Sequence, residues 1–417
     1  MKIMNQLQKS GMKFLIDKKK ILLTTLLFIT ANTFVFAQDQ NIFPSDGFTL
    51  EGFLRGLLGI SFLILTTYLL SNNKKAINWK TALTGLVLQL ILAVGVLKIS
   101  WVKMLFEGAG KVFVKILDFT MEGTKFLFGD LVSAENFGNV FIFSILPTVI
   151  FFAALTSILF YLGIIQKIVR VMALLLSKLL GVSGPESLSV AGNIFLGQTE
   201  SPLMVRPFVS EMTKSELMAV MTGGFATVSG GVLAIYVSWL TDIQGIAGHL
   251  LAASVMSAPA ALVVAKIIYP ETENSQTLGD INVEIEQTDV NAMEALSNGA
   301  TDGLKLAANI AAMLIAFISF VAMINYFLSF GGTSMEEIFG IIFRPLAWTM
   351  GIPWNEAQLV GMLMGKKIVL TELIAYGDLQ ILIRDGIISE RSAIISTYAL
   401  CGFSNFASIG IQLGGIG

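Results

Sequence analysis

The chain has 417 residues, 54% of them hydrophobic and 13% charged, with a mean hydropathy of +0.76. A soluble domain carries about 25% charged residues, so the composition is that of a polytopic membrane protein. A formal net charge of −2 supplies no basic face for nucleic acid, and a single cysteine (Cys401) and a single histidine (His249) exclude an internal disulfide, a cysteine-built zinc site and paired-histidine metal chemistry.

Residues 1–37 read as a signal peptide: Lys13 and Lys18-Lys-Lys20 precede an apolar core from Ile21 to Phe36, and Val35-Phe-Ala37 forms a small-residue cleavage site. The alternative is a first membrane anchor. Either way Gln38 lies outside the cytoplasm.

Windows of about 20 apolar residues mark the spans. The first covers 53–71 and ends in a basic cytoplasmic loop, Ser71-Asn-Asn-Lys-Lys75; the second covers 81–99. Residues 101–130 are apolar but carry Lys103, Glu107, Lys111, Lys115, Asp118 and Glu122, a spacing that predicts an amphipathic helix at the interface or across a subunit. A third span (139–163) leads into a basic interfacial helix with Lys167, Arg170 and Lys178. Ser183-Gly-Pro-Glu186 then starts a capped helix with Pro just inside it.

The stretch from Gly192 to Pro207 places glycines, amides (Asn193, Gln198), Thr199, Glu200 and prolines inside an apolar chain. Irregular backbone at membrane depth is tolerated only where it is buried in protein or lines a wet cavity. The stretch therefore reads as the tip of a re-entrant hairpin over 184–208. A fourth span (214–239) is interrupted by Gly223-Gly-Phe-Ala-Thr-Val-Ser-Gly-Gly231, and a fifth covers 248–268. Residues 270–292 form an acidic, flexible cytoplasmic loop. A sixth span (305–330) and a short external element (335–350) precede a second hairpin (358–383), which repeats the Thr-Glu pair as Thr371-Glu372. The seventh span (391–413) contains Gly402-Phe-Ser-Asn-Phe-Ala-Ser-Ile-Gly410, which aligns weakly with the interrupted fourth span. Two related halves with a site between them are the pattern of a secondary transporter.

The expected fold is all-α, with about seven spans, two re-entrant hairpins and interfacial helices in an inverted-repeat transport domain. The regions are 50–135 (first spans, scaffold), 136–240 (first hairpin and broken span), 241–350 (connector spans and loop) and 351–417 (second hairpin and last span).

Glu200 and Glu372 sit where a carboxylate must be protonated, paired or hydrated. They either accept hydrogen bonds from a polar neutral ligand or form structural ion pairs, Glu200 with Arg206 and Glu372 with Lys366 or Lys367. Asn405 and Ser408, three apart, share a helix face; with Phe403 they suit a ring-plus-sugar ligand, or they glue a small-residue helix contact. Asn193, Leu196, Thr227 and Val228 offer hard oxygen ligands for an alkali cation at an unwound helix; the alternative is kink repair by Thr227. His249 is expected to be solvated on an external turn, and Cys401 to be an apolar packer.

The motifs Asn193-Ile-Phe-Leu-Gly-Gln-Thr-Glu-Ser-Pro-Leu203, Thr222-Gly-Gly-Phe-Ala-Thr-Val-Ser-Gly-Gly231 and Ala399-Leu-Cys-Gly-Phe-Ser-Asn-Phe-Ala-Ser-Ile-Gly-Ile-Gln-Leu-Gly-Gly-Ile-Gly417 resemble the concentrative nucleoside transporter family. The resemblance covers 50–417. It implies a homotrimer in a bacterial inner membrane, importing nucleosides by an elevator movement coupled to sodium or protons, with no organic cofactor. It further implies nucleoside binding by Gln198, Thr199, Glu200, Val232, Glu372, Phe403, Asn405 and Ser408, and sodium binding at Asn193, Leu196, Thr227 and Val228. Proton coupling and a non-transporting nucleoside sensor are the alternatives; an enzyme lacks a nucleophile, metal cluster or phosphate loop beside the two carboxylates. The chain departs from the family at Thr371-Glu372-Leu373, where Asn-Glu-Phe is frequent, and in its N-terminal segment. It also ends one span short of the family pattern, so a truncated C-terminus is expected.

Overall fold

A computed structural model describes residues 50–132, 141–198, 200–273, 275, 277 and 289–416. The signal-like segment 1–37, Thr199 and most of the acidic loop lie outside these residues. Among them every regular element is a helix. In chain order they are α1 (Leu50–Leu69), α2 (Trp79–Lys98), α3 (Ser100–Phe128), α4 (Phe141–Tyr161), α5 (Ile164–Leu180), α6 (Gly184–Gly192), α7 (Glu200–Leu203), α8 (Lys214–Ala226), α9 (Gly230–Trp239), α10 (Ile246–Ile268), α11 (Ala292–Ser329), α12 (Met335–Thr349), α13 (Ala357–Val369), α14 (Glu372–Arg384), α15 (Glu390–Leu400) and α16 (Phe406–Ile416).

Among the described residues, five helical stretches are long and apolar enough to cross a membrane: α1, α2, α8 with α9, α10 and α11. A sixth arises if α4 and α5, bent by 76°, are one span. The sequence predicts seven. Of the seven, residues 391–413 fold as two helices of 11 residues each, α15 and α16, interrupted between them as α8 and α9 are. Large apolar side chains stand exposed along α1 (Leu54, Leu57, Phe62, Leu65) and α11 (Ile315, Phe320, Phe327). Such faces suit a bilayer, and the chain is a multi-pass membrane protein.

The polar helices are capped by short-range chemistry. Ser183 and Glu186 close a capping box at the start of α6, with Pro185 in its first turn, and Thr213 and Glu216 close another at the start of α8. Both boxes face Lys266 near the end of α10. Its Nζ lies 2.7 Å from Glu186 and donates to Ser215 Oγ at 3.0 Å. Glu216 Oε1 in turn accepts from Ser275 (2.6 Å) and Thr277 (2.5 Å). The base of the first hairpin is thereby tied to α8, to α10 and to the start of the acidic loop.

Glycine sets the helix crossings. A Cβ on Gly303 would lie 2.7 Å from Ile150 Cα, and one on Gly299 2.8 Å from Ala153 O, so α11 lies backbone to backbone on α4. Helix α3 does not lie free on the surface; Gly110 brings it against the start of α10, where a Cβ would stand 3.0 Å from Gly248 N. His249 there is half-buried, with Nδ1 3.0 Å from the Tyr398 hydroxyl. The expected solvated turn is instead the first turn of α10, on which α15 packs.

Candidate functional site

Four short elements converge: the first hairpin turn after α6, the break between α8 and α9, the second hairpin turn between α13 and α14, and the break between α15 and α16. The two breaks touch directly. The Phe403 amide donates to the Thr227 carbonyl at 3.2 Å. Gly402 allows this approach: its φ is +115°, and a Cβ would fall 2.7 Å from Phe225 O, so only glycine fits on both counts.

Glu372 opens α14 and is buried (4% exposed). Its Oε1 accepts from the Tyr236 hydroxyl on α9 at 3.2 Å, and its Oε2 accepts from Asn405 Nδ2 at 2.8 Å. The lysine pairing considered for it does not form. Lys366 pairs with Asp378 (2.6 Å) and Glu336 (3.3 Å), while Lys367 Nζ donates to the carbonyls of Ala399 (3.1 Å) and Cys401 (3.2 Å). Those carbonyls are freed where α15 ends, and a buried ammonium caps them. Thr371 caps α14 by accepting from the Ile374 amide at 3.4 Å, as a good N-cap residue does.

Asn405 Oδ1 accepts from the Ser408 amide at 2.8 Å, and Ser408 Oγ accepts from Gln198 Nε2 at 3.1 Å. Gln198, Ser408, Asn405 and Glu372 thus form one chain of hydrogen bonds from the first hairpin to the second. Val232 is buried on α9, and Phe403 packs half-buried in the same cluster. Glu200 stands apart: it is exposed at the start of α7, its carboxylate folded back over Gly197, and it forms no ion pair with Arg206 among the described residues. Thr199 lies outside the described residues.

The hard-oxygen group is one turn away. Asn193 is fully buried; its Nδ2 donates to Ser189 O at 3.1 Å, and its Oδ1 has no hydrogen-bond partner. Gly223 lies beside that amide: a Cβ there would be 3.4 Å from Asn193 Nδ2. The Gly223 carbonyl accepts from Thr227 Oγ1 at 3.1 Å. Thr227 therefore does repair its own kink, yet its hydroxyl oxygen keeps lone pairs to offer. Gly230 N donates to Phe195 O at 3.2 Å, closing the hairpin onto the broken helix, with Leu196 and Val228 buried around it. A buried acceptor without a donor is costly.

Sequence reasoning missed four side chains here: Tyr236, Tyr376, Lys367 as a cap, and Gln412, whose Nε2 reaches Gln198 Oε1 at 3.4 Å and Met221 O at 3.2 Å. Helical spacing held the signal for two of them, since Tyr376 and Gln412 lie four residues after Glu372 and Ser408.

Three family models match: "Na+ dependent nucleoside transporter N-terminus" over 58–131, "Nucleoside recognition" over 142–241, and "Na+ dependent nucleoside transporter C-terminus" over 249–417. The chain belongs to the concentrative nucleoside transporter family. An uncharacterized transporter of Haemophilus influenzae is 38% identical over 376 residues, covering 87% of this chain and 89% of that protein. Sodium/nucleoside cotransporter 2 of Mus musculus is 39% identical, over 86% of this chain but 56% of its own longer length. The solved structure of CNTnw in an inward-facing substrate-bound state superimposes with a TM-score of 0.82 at 38% identity, covering 88% of this chain and 89% of that one. The family is one of sodium-dependent nucleoside transporters rather than of enzymes.

Proposed function

We propose that this transporter is a secondary active symporter that imports nucleosides across a bacterial inner membrane, driven by a sodium gradient, through an elevator-type movement in a homotrimer. The observation that carries the reading is the unpartnered Oδ1 of Asn193 one turn from a hydrogen-bonded chain that ends on a buried carboxylate. The relatives named as sodium/nucleoside cotransporters support the cargo. CNTnw structures titled inward-facing, intermediate and outward-facing support alternating access.

Sodium is the coupled cargo, taken by Asn193 Oδ1, the Thr227 hydroxyl and backbone oxygens about Leu196 and Val228. The donor set suits it: all are neutral oxygens, hard ligands without a carboxylate that would favour a divalent ion. Binding there joins the hairpin to the α8–α9 break and orders Gln198 and Thr199. The nucleoside follows. Glu372 accepts from its sugar hydroxyls, because each carboxylate oxygen keeps a lone pair beyond the Tyr236 and Asn405 bonds. Asn405 and Ser408 complete the sugar contacts, Phe403 and Val232 line the ring, and Gln198, Thr199 and Glu200 close from the first hairpin. Sodium thereby binds the loaded state in preference, which is the differential affinity that coupling requires. One charge crossing ~100 mV releases about 2.3 kcal/mol, and about 1.4 kcal/mol sustains each decade of gradient.

The test is uptake of labelled uridine and adenosine into proteoliposomes under an inward sodium gradient, an inward proton gradient, or neither, beside Glu372→Gln. Accumulation above equilibrium with sodium alone, lost in the variant, is the expected result. Accumulation with protons alone transfers the reading to proton symport, and binding without accumulation identifies a sensor.

A further inference from the structure

Gln412 is buried on α16, and its amide is sandwiched between α8 and the first hairpin. The Met221 carbonyl can only accept, so the Gln412 amide must turn Nε2 toward it. The same nitrogen then meets Gln198 Oε1 at 3.4 Å, which turns Gln198 Nε2 outward to Ser408 Oγ at 3.1 Å. A backbone carbonyl thus sets the polarity of two side-chain amides in series. Gly224 makes room for this relay: a Cβ there would run into Gln412 Nε2 and stand 3.3 Å from Gln198 Cβ. The other end of the Gln412 amide, Oε1, is buried with no hydrogen-bond partner.

We propose that Gln412 is a positioning residue that fixes Gln198 with its NH2 toward the nucleoside, so that the transporter selects bases by the hydrogen-bond acceptor they present there. This rests on the nucleoside-transport reading. An amide free to rotate by half a turn shows a ligand either a donor or an acceptor at nearly equal cost, and so discriminates poorly. Locked by Gln412, Gln198 has one N–H on Ser408 and a second N–H to give. A base carbonyl or ring nitrogen satisfies it; an exocyclic amine at the same position opposes it, leaving two donors facing each other. Discrimination of this kind is strong because the mismatched group is left unpaired in a buried site.

The experiment measures sodium-driven uptake into proteoliposomes for two pairs of nucleosides that exchange a carbonyl acceptor for an amine donor on the base edge, with the reverse exchange at the neighbouring ring nitrogen: uridine with cytidine, and inosine with adenosine. Wild-type transporter is expected to show a KM difference within at least one pair. Gln412→Met, of similar length but without an amide, is expected to shrink that difference about tenfold while the maximal rate changes less. Gly224→Ala displaces the Gln412 amide without removing it and is expected to act in the same direction, which keeps the proposal testable if the methionine variant folds poorly. In a Gln198→Ala background Gln412→Met should leave the KM ratio unmoved. Equal KM changes for both members of each pair, a ratio change that survives in the Gln198→Ala background, or no wild-type discrimination overturns the proposal. Absence of any wild-type accumulation sinks the transport reading itself and is distinguished by that control.

Discussion

Tyr236 and Tyr376 stack with ring centroids 3.9 Å apart and planes 18° apart, and their hydroxyls diverge: one to Glu372 Oε1, the other to the Thr397 carbonyl at 2.6 Å. The pair joins α9 to α14 and hands the carboxylate its orientation. Tyr236→Phe keeps the stack and removes one donor. A hydrogen bond to a charged group is worth about 1.5–3 kcal/mol, so the melting temperature is expected to fall, and with the carboxylate no longer held, nucleoside KM to rise roughly tenfold. Uptake kinetics beside a thermal melt check this; an unchanged KM removes Tyr236 from the site.

The cation site predicts a different signature. Thr227→Val and Asn193→Ala each take away one oxygen, and each is expected to raise the sodium concentration for half-maximal uptake by about tenfold, the equivalent of about 1.4 kcal/mol. At saturating sodium the nucleoside KM should recover most of its wild-type value. Sodium titrations at fixed nucleoside measure the shift, and an unaltered sodium dependence in both variants places the ion elsewhere.

How much of this was legible in sequence depends on whether the chemistry is local. The capping box of Ser183 and Glu186 is written in four consecutive residues and could be anticipated; both hairpins and both glycine-marked breaks were visible because polar and small residues stand out in an apolar chain. The bond between Phe403 and Thr227 was not, since it joins positions far apart in sequence through backbone atoms that every residue carries. The capping role of Lys367 was missed for a related reason: a lysine near Glu372 offers an ion pair as the alternative reading, but the freed carbonyls of Ala399 and Cys401 lie where its ammonium ends. The break that divides α15 from α16 does not show in hydropathy, which averages over it.

Lys266 anchors three elements, so its loss should be structural. Lys266→Met leaves Glu186, 1% exposed, with an uncompensated charge. Breaking a buried pair on one side costs about 3–5 kcal/mol. The double variant Glu186→Gln with Lys266→Met is expected to recover much of that. Thermal unfolding in detergent reads both; a single variant as stable as wild type would show the pair contributes little.

The α4–α11 crossing gives a packing prediction. Gly303→Val drives side-chain atoms into the Ile150 backbone, at a Cβ separation of 2.7 Å. Overpacking of this kind costs about 1–3 kcal/mol, seen as a lower melting temperature. Gly56→Ala on α1, where a Cβ meets nothing within 4 Å, is the control and is expected to be stabilising by up to about 1 kcal/mol.

Glu336, at the start of α12 outside the spans, supplies a pH test. Burial alone would push its carboxyl up, but its own amide, Asn325 at 2.8 Å and Lys366 at 3.3 Å outweigh that and hold it below the ordinary range. A depressed carboxyl adds stability that is complete above its unfolded value, about 4.3, and disappears as pH falls through the folded one. The melting-temperature gap between wild type and Glu336→Gln should therefore be flat near neutrality and close only in acid. A gap that varies between pH 6 and 8 contradicts this.

The carbonyl that one interruption releases is consumed by the amide that the other interruption releases. Neither gap can be mended into continuous helix alone, because straightening one strands the polar group of its counterpart. Two sequence-distant imperfections are thus a matched set. A sequence that lost Gly402 would forfeit more than a bend: the two halves would lose the shared seam that keeps their sugar-facing and cation-facing groups in register.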